Sequence, residues 1–257
     1  MAILLLPIPG LPRIAPGDDL ARLLASAIAD SRMGAKPDDV LVVCQKVVSK
    51  AEGRVVDLAT VEPSEFARAW ARTHDKDARV VELVLRESSR IVRMDAGHLI
   101  VETGPGWVCA NAGIDESNAV QDGQVTLLPR DPDASAEGLR TELRSHLGVD
   151  LGIVITDTFG RPWREGQVEF ALGVAGIEPL LDLRGTRDLN GHELRVTVIG
   201  VADELACAAG LVMGKAEGVA AVIVRGYRPP TAPAALDADR PRGGRALIRR
   251  RENDLFR

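Results

Sequence analysis

Aromatic residues are scarce in this chain: three Trp, one Tyr and four Phe make up 3% of its 257 positions. A protein that binds nucleic acid by stacking bases needs more rings, and one that binds it by charge needs a basic excess. Here 37 acidic residues face 32 basic ones, for a net charge of -5. Both modes are excluded, and no nucleic-acid partner is expected. Cysteine is just as sparse. Cys44, Cys109 and Cys207 are odd in number, widely spaced and never in a CxxC pair. That argues against a zinc site of the usual spacing and against a disulfide framework. Each lies in an apolar run, as small buried hydrophobes do. The missing disulfide pattern fits a reducing compartment, so a cytoplasmic protein is expected.

Long hydrophobic runs are also lacking. No apolar stretch is long enough to span a bilayer, so no membrane partner is expected. The apolar start, MAILLLPIPGLPRI, has no basic region before it and is broken by Pro7, Pro9 and Pro12. It reads as a strand and a loop, not a signal peptide. The motifs HExxH, GxSxG and GxxxxGK[ST] do not occur. His74, His98, His146 and His192 form no i, i+4 pair, and none is assigned to catalysis.

What is present is a chain 46% hydrophobic and 27% charged, enough for a large core in one domain or two lobes. Leu4 to Leu6 reads as a strand. Asp18 and Asp19 precede LARLLASAIADS, an amphipathic helix with acidic residues at its start. Val40 to Val48 is β-branched and almost continuous, a buried strand running into a polar turn. From Pro63 to Arg90 the spacing is helical. IVR, HLIVE and WVCA between 91 and 110 are strand-like, and NAGIDESN is a loop.

DASAEGLRTELRSHLG has helix-capping residues at one end and glycine at the other. Leu151 to Thr156 is a buried strand leading into DTFGRPWREGQ, read as a loop. EFALGVAGIEPLL is apolar and punctuated by glycine, LRVTVIG is a strand, ADELACAAGLVMG is helical and VAAVIVRGY is a last buried strand. Residues 1–227 form the main unit. Residues 228–257, rich in Pro, Gly and charge, form an irregular segment with a short basic helix at its end. The whole is α+β, with mixed sheets and flanking helices. Its irregular element order speaks against a plain doubly wound sheet.

Asp115 in CANAGID and Asp157 in IVITDT stand just beyond strand-like runs, with Thr158 adding a hydroxyl. Carboxylates there can hold a hard cation such as magnesium or manganese, and they can equally cap turns. Lys46 and Lys50 suit either phosphate neutralisation or a solvated edge. In MGKAEG (213–218), glycines surround Lys215 and Glu217, which fits a phosphate-approaching loop or a helix C-cap. Arg161 and Arg164 suit an anionic substrate or local ion pairs.

Seven segments, in order, resemble the coenzyme F420:L-glutamate ligase (CofE) family. They are PGLPRI (9–14), VLVVCQKVVSKAEGR (40–54), CANAGIDESN (109–118), LLPRDPDASAEGLR (127–140), ITDTFGRPWREGQ (155–167), GTRDLNGHEL (185–194) and ADELACAAGLVMGKAEG (202–218). The resemblance covers the chain from residue 9 to about Tyr227. It implies a family-specific α+β fold assembling as a homodimer, in two lobes. It also implies an enzyme that joins L-glutamate to the phospholactyl carboxylate of a deazaflavin F420 precursor. GTP is its co-substrate, magnesium or manganese is required, and potassium assists. Further glutamates can be added by γ-linkage.

Carried over residue by residue, the resemblance puts the nucleotide against Leu11, Pro12, Arg13 and Ile14, then Gln45, Lys46, Lys50 and Asn118. The loop Met213, Gly214, Lys215, Ala216, Glu217, Gly218 and Val219 also contacts it. Asp115, Asp157, Thr158 and Glu217 become the metal ligands. Glu217 is preferred within its loop because Lys215 cannot coordinate a cation. Asp115 and Asp157 are the expected catalytic residues; Arg164 is added to them, not from the resemblance but from its place after the Asp157–Thr158 pair, as fixed positive charge.

Overall fold

The computed structural model describes residues 2–116, 122–215, 217–228 and 241–254. The chain opens with β1 (Leu4–Pro7) and α1 (Leu20–Asp30). Asp19 caps α1, its carboxylate accepting the Arg22 backbone N–H at 2.9 Å. Then come β2 (Val40–Cys44) and α2 (Gln45–Ala51). The next stretch holds β3 (Val55–Asp57), α3 (Glu65–His74), α4 (Ala78–Arg86), β4 (Ser88–Asp95), β5 (His98–Thr103), β6 (Val108–Ala110) and β7 (Gln124–Thr126). After α5 (Pro132–Leu147) follow β8 (Gly152–Arg161), β9 (Arg164–Ala175), β10 (Leu181–Asp182), β11 (Val198–Ile199), α6 (Val201–Met213) and β12 (Ala221–Arg225).

The main sheet has the order β1-β12-β2-β8-β9. Only β2 and β8 run parallel; the other pairs are antiparallel. β2 lies at its centre, and Val40 to Val43 are at most 2% exposed. Such a strand is apolar on both faces because both are covered. Alternation sorts its residues: Leu41 and Val43 join Ile153 and Ile155 against α1 and α5, while Val40 and Val42 join Val154, Val222 and Val224 against α6. The stretch from β3 to β7 carries its own apolar clusters. Ala67, Ala71, Val81, Val84, Leu99 and Val101 form one, and Leu58, Val61, Leu83, Val125 and Leu127 another. This is the α+β class expected from the sequence.

α5 is drawn tightly onto β9. A Cβ on Gly173 would meet the Pro132 carbonyl oxygen at 2.0 Å, so glycine alone permits the approach. Asp133, in the first turn of α5, accepts the backbone N–H groups of Val174 at 2.9 Å and Gly244 at 2.6 Å. One carboxylate thereby ties helix, strand and C-terminal segment together.

Local readings from sequence need five corrections. The apolar run from Val40 stops being a strand at Cys44. Gln45–Ala51 is helical, and Ser49 Oγ donates across one turn to Gln45 Oε1 at 2.8 Å. The helical run after Pro63 is two helices, split where Asp75 turns left-handed at φ 53°. DTFGRPWREGQ is a β-hairpin rather than a loop, because its glycines and proline sit at bulges and at a two-residue turn. LRVTVIG forms only a two-residue strand, and the basic C-terminal stretch forms 3-10 turns at Gly243–Leu247 and Arg251–Asn253 rather than one helix.

Candidate active site

β6, the start of α2 and the outer half of the β8–β9 hairpin converge on Asp157. On β8, Asp157 pairs with Phe170 and Thr158 with Glu169. Strand alternation sends Asp157 and Thr158 to opposite faces of the hairpin. On the Thr158 face, Glu169 is held by two hydroxyls. Thr156 Oγ1 lies 2.9 Å from Glu169 Oε2, and Thr158 Oγ1 donates to Glu169 Oε1. Lys215, from the loop after α6, donates to Thr158 Oγ1 and stands 3.7 Å from Glu169.

On the other face, Asp157 is half-buried beside Cys109 and Cys44. Desolvation pushes its carboxyl up to about 6, and the negative charges of Glu169 and Asp115 push the same way. The Thr158 backbone N–H and Lys215 oppose the rise. Burial, with Asp157 adding, lifts the Cys109 thiol to about 12, so it is inert.

Asp115 is placed by an unusual turn. Asn111, Ala112 and Gly113 are all left-handed, at φ 51°, 53° and 66°. Each non-glycine residue there costs roughly 1–2 kcal/mol. The turn carries the chain from β6 into a bridge with Thr126, where Asp115 exchanges both backbone hydrogen bonds at 2.9 Å. Its carboxylate pairs with Lys46 at 2.5 Å. Lys50 lies close by. Desolvation lowers its pKa, Lys46 and Arg13 lower it further, and Asp115 raises it. Lys46 and Lys50 therefore flank Asp115, with Arg13 within electrostatic range of Lys50, a basic group that suits a polyanion. Beside them Gln45 is 1% exposed, and its Nε2 has no partner among the described residues.

The loop after α6 turns on glycine. Gly214 adopts φ 59°, and a Cβ there would meet the Glu217 carboxylate at 1.9 Å. Glu217 thus folds over its own loop. Met213 is buried against α6's core, and Gly218 turns at φ 71° ahead of Val219. In the first loop Ile14 is buried, Leu11 half-buried, and Pro12 and Arg13 exposed. Asn118 and Ala216 lie outside the described residues.

The structure thus brings Asp115, Asp157, Lys46, Lys50 and Arg13 into one electrostatic neighbourhood, with Thr158 and Lys215 across the strand. It does not bring Arg164 there. Arg164 pairs with Arg161 at the hairpin turn, four residues along β8 from Asp157, or about 13 Å. Sequence reasoning missed Glu169. It heads a run read as apolar, and only the hairpin register sets it opposite Thr158.

The donor set fits a hard divalent cation. The Asp157 and Asp115 carboxylates offer oxygen donors near enough for one charge to oppose the other, and a cation would relieve that opposition. Among the described residues no three Asp, Glu, His or Cys side chains cluster as a full cage. Magnesium needs none, since it binds through one or two carboxylates and completes its shell with water and phosphate.

A family model described as F420-0:Gamma-glutamyl ligase matches residues 10–226. A coenzyme F420:L-glutamate ligase of Methanopyrus kandleri is 49% identical over 253 residues, covering 98% of this chain and 96% of its own. One from Methanothermobacter thermautotrophicus is 47% identical and covers 100% of both chains. One from Archaeoglobus fulgidus is 46% identical over 88% of each.

Proposed function

The chain belongs to the F420-0:gamma-glutamyl ligase family, and from that membership we propose a GTP-driven amide synthesis at the Asp115–Asp157 cluster. The enzyme is an acid–amino-acid ligase that attaches L-glutamate to a coenzyme F420 precursor. In the proposed route a carboxylate oxygen of the precursor attacks the γ-phosphorus of GTP. GDP leaves, and the carboxyl becomes an acyl phosphate. The glutamate amine then attacks the acyl carbon, expels phosphate and loses a proton. A second round on the new glutamate's γ-carboxyl would lengthen the tail.

The observation that supports this reading is the meeting of two charge groups. Arg13, Lys46 and Lys50 would hold the triphosphate, with the spare Gln45 amide as a further donor. Asp115 and Asp157 would hold magnesium or manganese, which supplies charge neutralisation at the phosphates, with Thr158 on the opposite face of the hairpin beside Glu169 and Lys215. Potassium would assist nearby. The Glu217 loop would close over the nucleotide through its glycine backbone. An acyl phosphate hydrolyses readily, so the half-buried setting of Asp157 serves to limit water. Homodimeric assembly and a cytoplasmic setting belong to the same proposal. No helix among the described residues is long and apolar enough to cross a membrane.

The test is incubation of the purified protein with precursor, GTP, magnesium and L-glutamate, followed by mass analysis. One or more glutamyl increments with matching GDP are expected. GTP hydrolysis with no mass gain would overturn the ligase chemistry. Phosphate release that depends on precursor but not on glutamate would support the acyl-phosphate order.

A further inference from the structure

The hairpin that carries Asp157 and Thr158 ends in a turn built against the rules of its own backbone. Pro162 and Trp163 are the two residues between the paired Arg161 and Arg164. Proline holds a negative φ at the first turn position. Trp163 then stands at φ 58°. Glycine or asparagine takes that place in ordinary turns, and a bulky ring there is an outlier. Burial does not account for the indole, because Trp163 is 78% exposed. Phe159 and Phe170 stack on each other at 4.3 Å, and Phe159 packs on the apolar cluster of Trp107, Leu128 and Leu172.

Arg164 is exposed beside this ring, and Arg161 donates one N–H to the Gly166 carbonyl at 3.1 Å while keeping its other donors. A solvent-facing Trp set between two arginines in the turn matches a ligand that is planar and anionic at once. The hairpin also sets a distance. Four strand residues separate Arg161 from Asp157, about 13 Å at the usual rise. A ligand held at the turn can therefore extend its far end to the carboxylate cluster.

Resting on the ligase reading, we propose that this turn is the acceptor's recognition site. Trp163 stacks on the planar heteroaromatic ring, and Arg161 and Arg164 offset the negative charge of the ligand at that end. The reacting carboxylate lies inward at Asp157. The contact is remote from the chemistry, so its binding energy serves to place the carboxylate.

The experiment compares the full-length wild type with Trp163→Gly and Trp163→Phe. KM and kcat are measured for the ring-bearing acceptor, GTP and glutamate, and acceptor binding is measured directly in the absence of GTP. Trp163→Gly is expected to weaken acceptor binding and raise its KM by roughly tenfold. KM for GTP should not move, and the melting temperature should hold or rise because glycine suits the left-handed turn. Trp163→Phe should keep most of the binding. An acceptor truncated to the phospholactyl end should bind wild type and Trp163→Gly equally.

Unchanged acceptor binding in Trp163→Gly would overturn the proposal. So would an equal loss on the truncated acceptor. A change confined to sedimentation behaviour, with acceptor binding intact, would assign the ring to contact with a second copy and would also overturn it. If the wild type itself forms no glutamylated product yet binds the ring through Trp163, the ligase reading fails and the recognition site stands.

Discussion

Asp157 is asked to be negative where its surroundings favour neutrality. Burial, Glu169 and Asp115 all raise its pKa, to about 6. A cation there would draw it back down. Asp157→Asn keeps the shape and removes both the charge and a ligand oxygen. Turnover should fall at least about a hundredfold, while circular dichroism and melting stay near wild type. Near-normal turnover at ordinary magnesium would remove Asp157 from the chemistry.

A second carboxylate works for the fold. Glu82 on α4 accepts the Ser64 backbone N–H at 2.9 Å, while Ser64 Oγ caps α3 through Ala67. It is a capping box whose acidic half comes from the next helix. Hydrogen bonds from the Ser64 hydroxyl and then its backbone N–H, with Arg86 helping, hold Glu82 at about 2, below the ordinary 4.5. A depressed carboxylate stabilises the fold above its unfolded pKa, and the stabilisation disappears as pH falls through the folded one. Acid melts of wild type should therefore lose about 1–2 kcal/mol between pH 4.5 and 2 that Glu82→Gln does not lose, after allowance for solvent screening. Parallel acid profiles for the two proteins would refute this.

Among the elements, the α5–β9 contact has the least room. A methyl at Gly173 would lie 2.0 Å from a backbone oxygen that cannot swing aside. Gly173→Ala must lift the start of α5 from the strand, loosening the Asp133 clamp on Val174 and Gly244 as well. Denaturant titration should give a loss of about 3 kcal/mol. Gly138→Ala, within α5, meets nothing within 4 Å and should leave stability unchanged or slightly raised. An equal loss in both variants would rule out this contact as the cause.

The β8–β9 hairpin also explains why part of the site was illegible. DTFGRPWREGQ has the composition of a loop, and a one-residue slip in reading it flips every side chain. Only the observed register puts Glu169 beside Thr158 and leaves Arg164 at the far turn. α2 was misread for a related reason. Its valines favour a strand, but pairing with β8 stops at Cys44 opposite Thr156, and the released chain coils.

Across the whole molecule, burial is uneven. β2 is covered on both faces, whereas β4 and β5 pack into one small cluster with α3 and α4. In native-state hydrogen exchange the amides of β2, β8 and β12 should exchange last and those of β4 earlier. Uniform protection would mean that the molecule opens as one unit.

The order of residues alone determined much of this protein. Apolar runs marked β8 and β12 and the start of β2, because strands covered on both faces leave no room for polar residues. Capping residues and helical spacing marked α1 and α5, because those signals act within one or two turns. Segment-by-segment resemblance named the family. Tertiary structure alone decided which charges meet. Asp115 and Lys46 are 69 residues apart in the chain and 2.5 Å apart in space. Coulomb forces depend on distance through space, and that distance is set only when strands choose their partners.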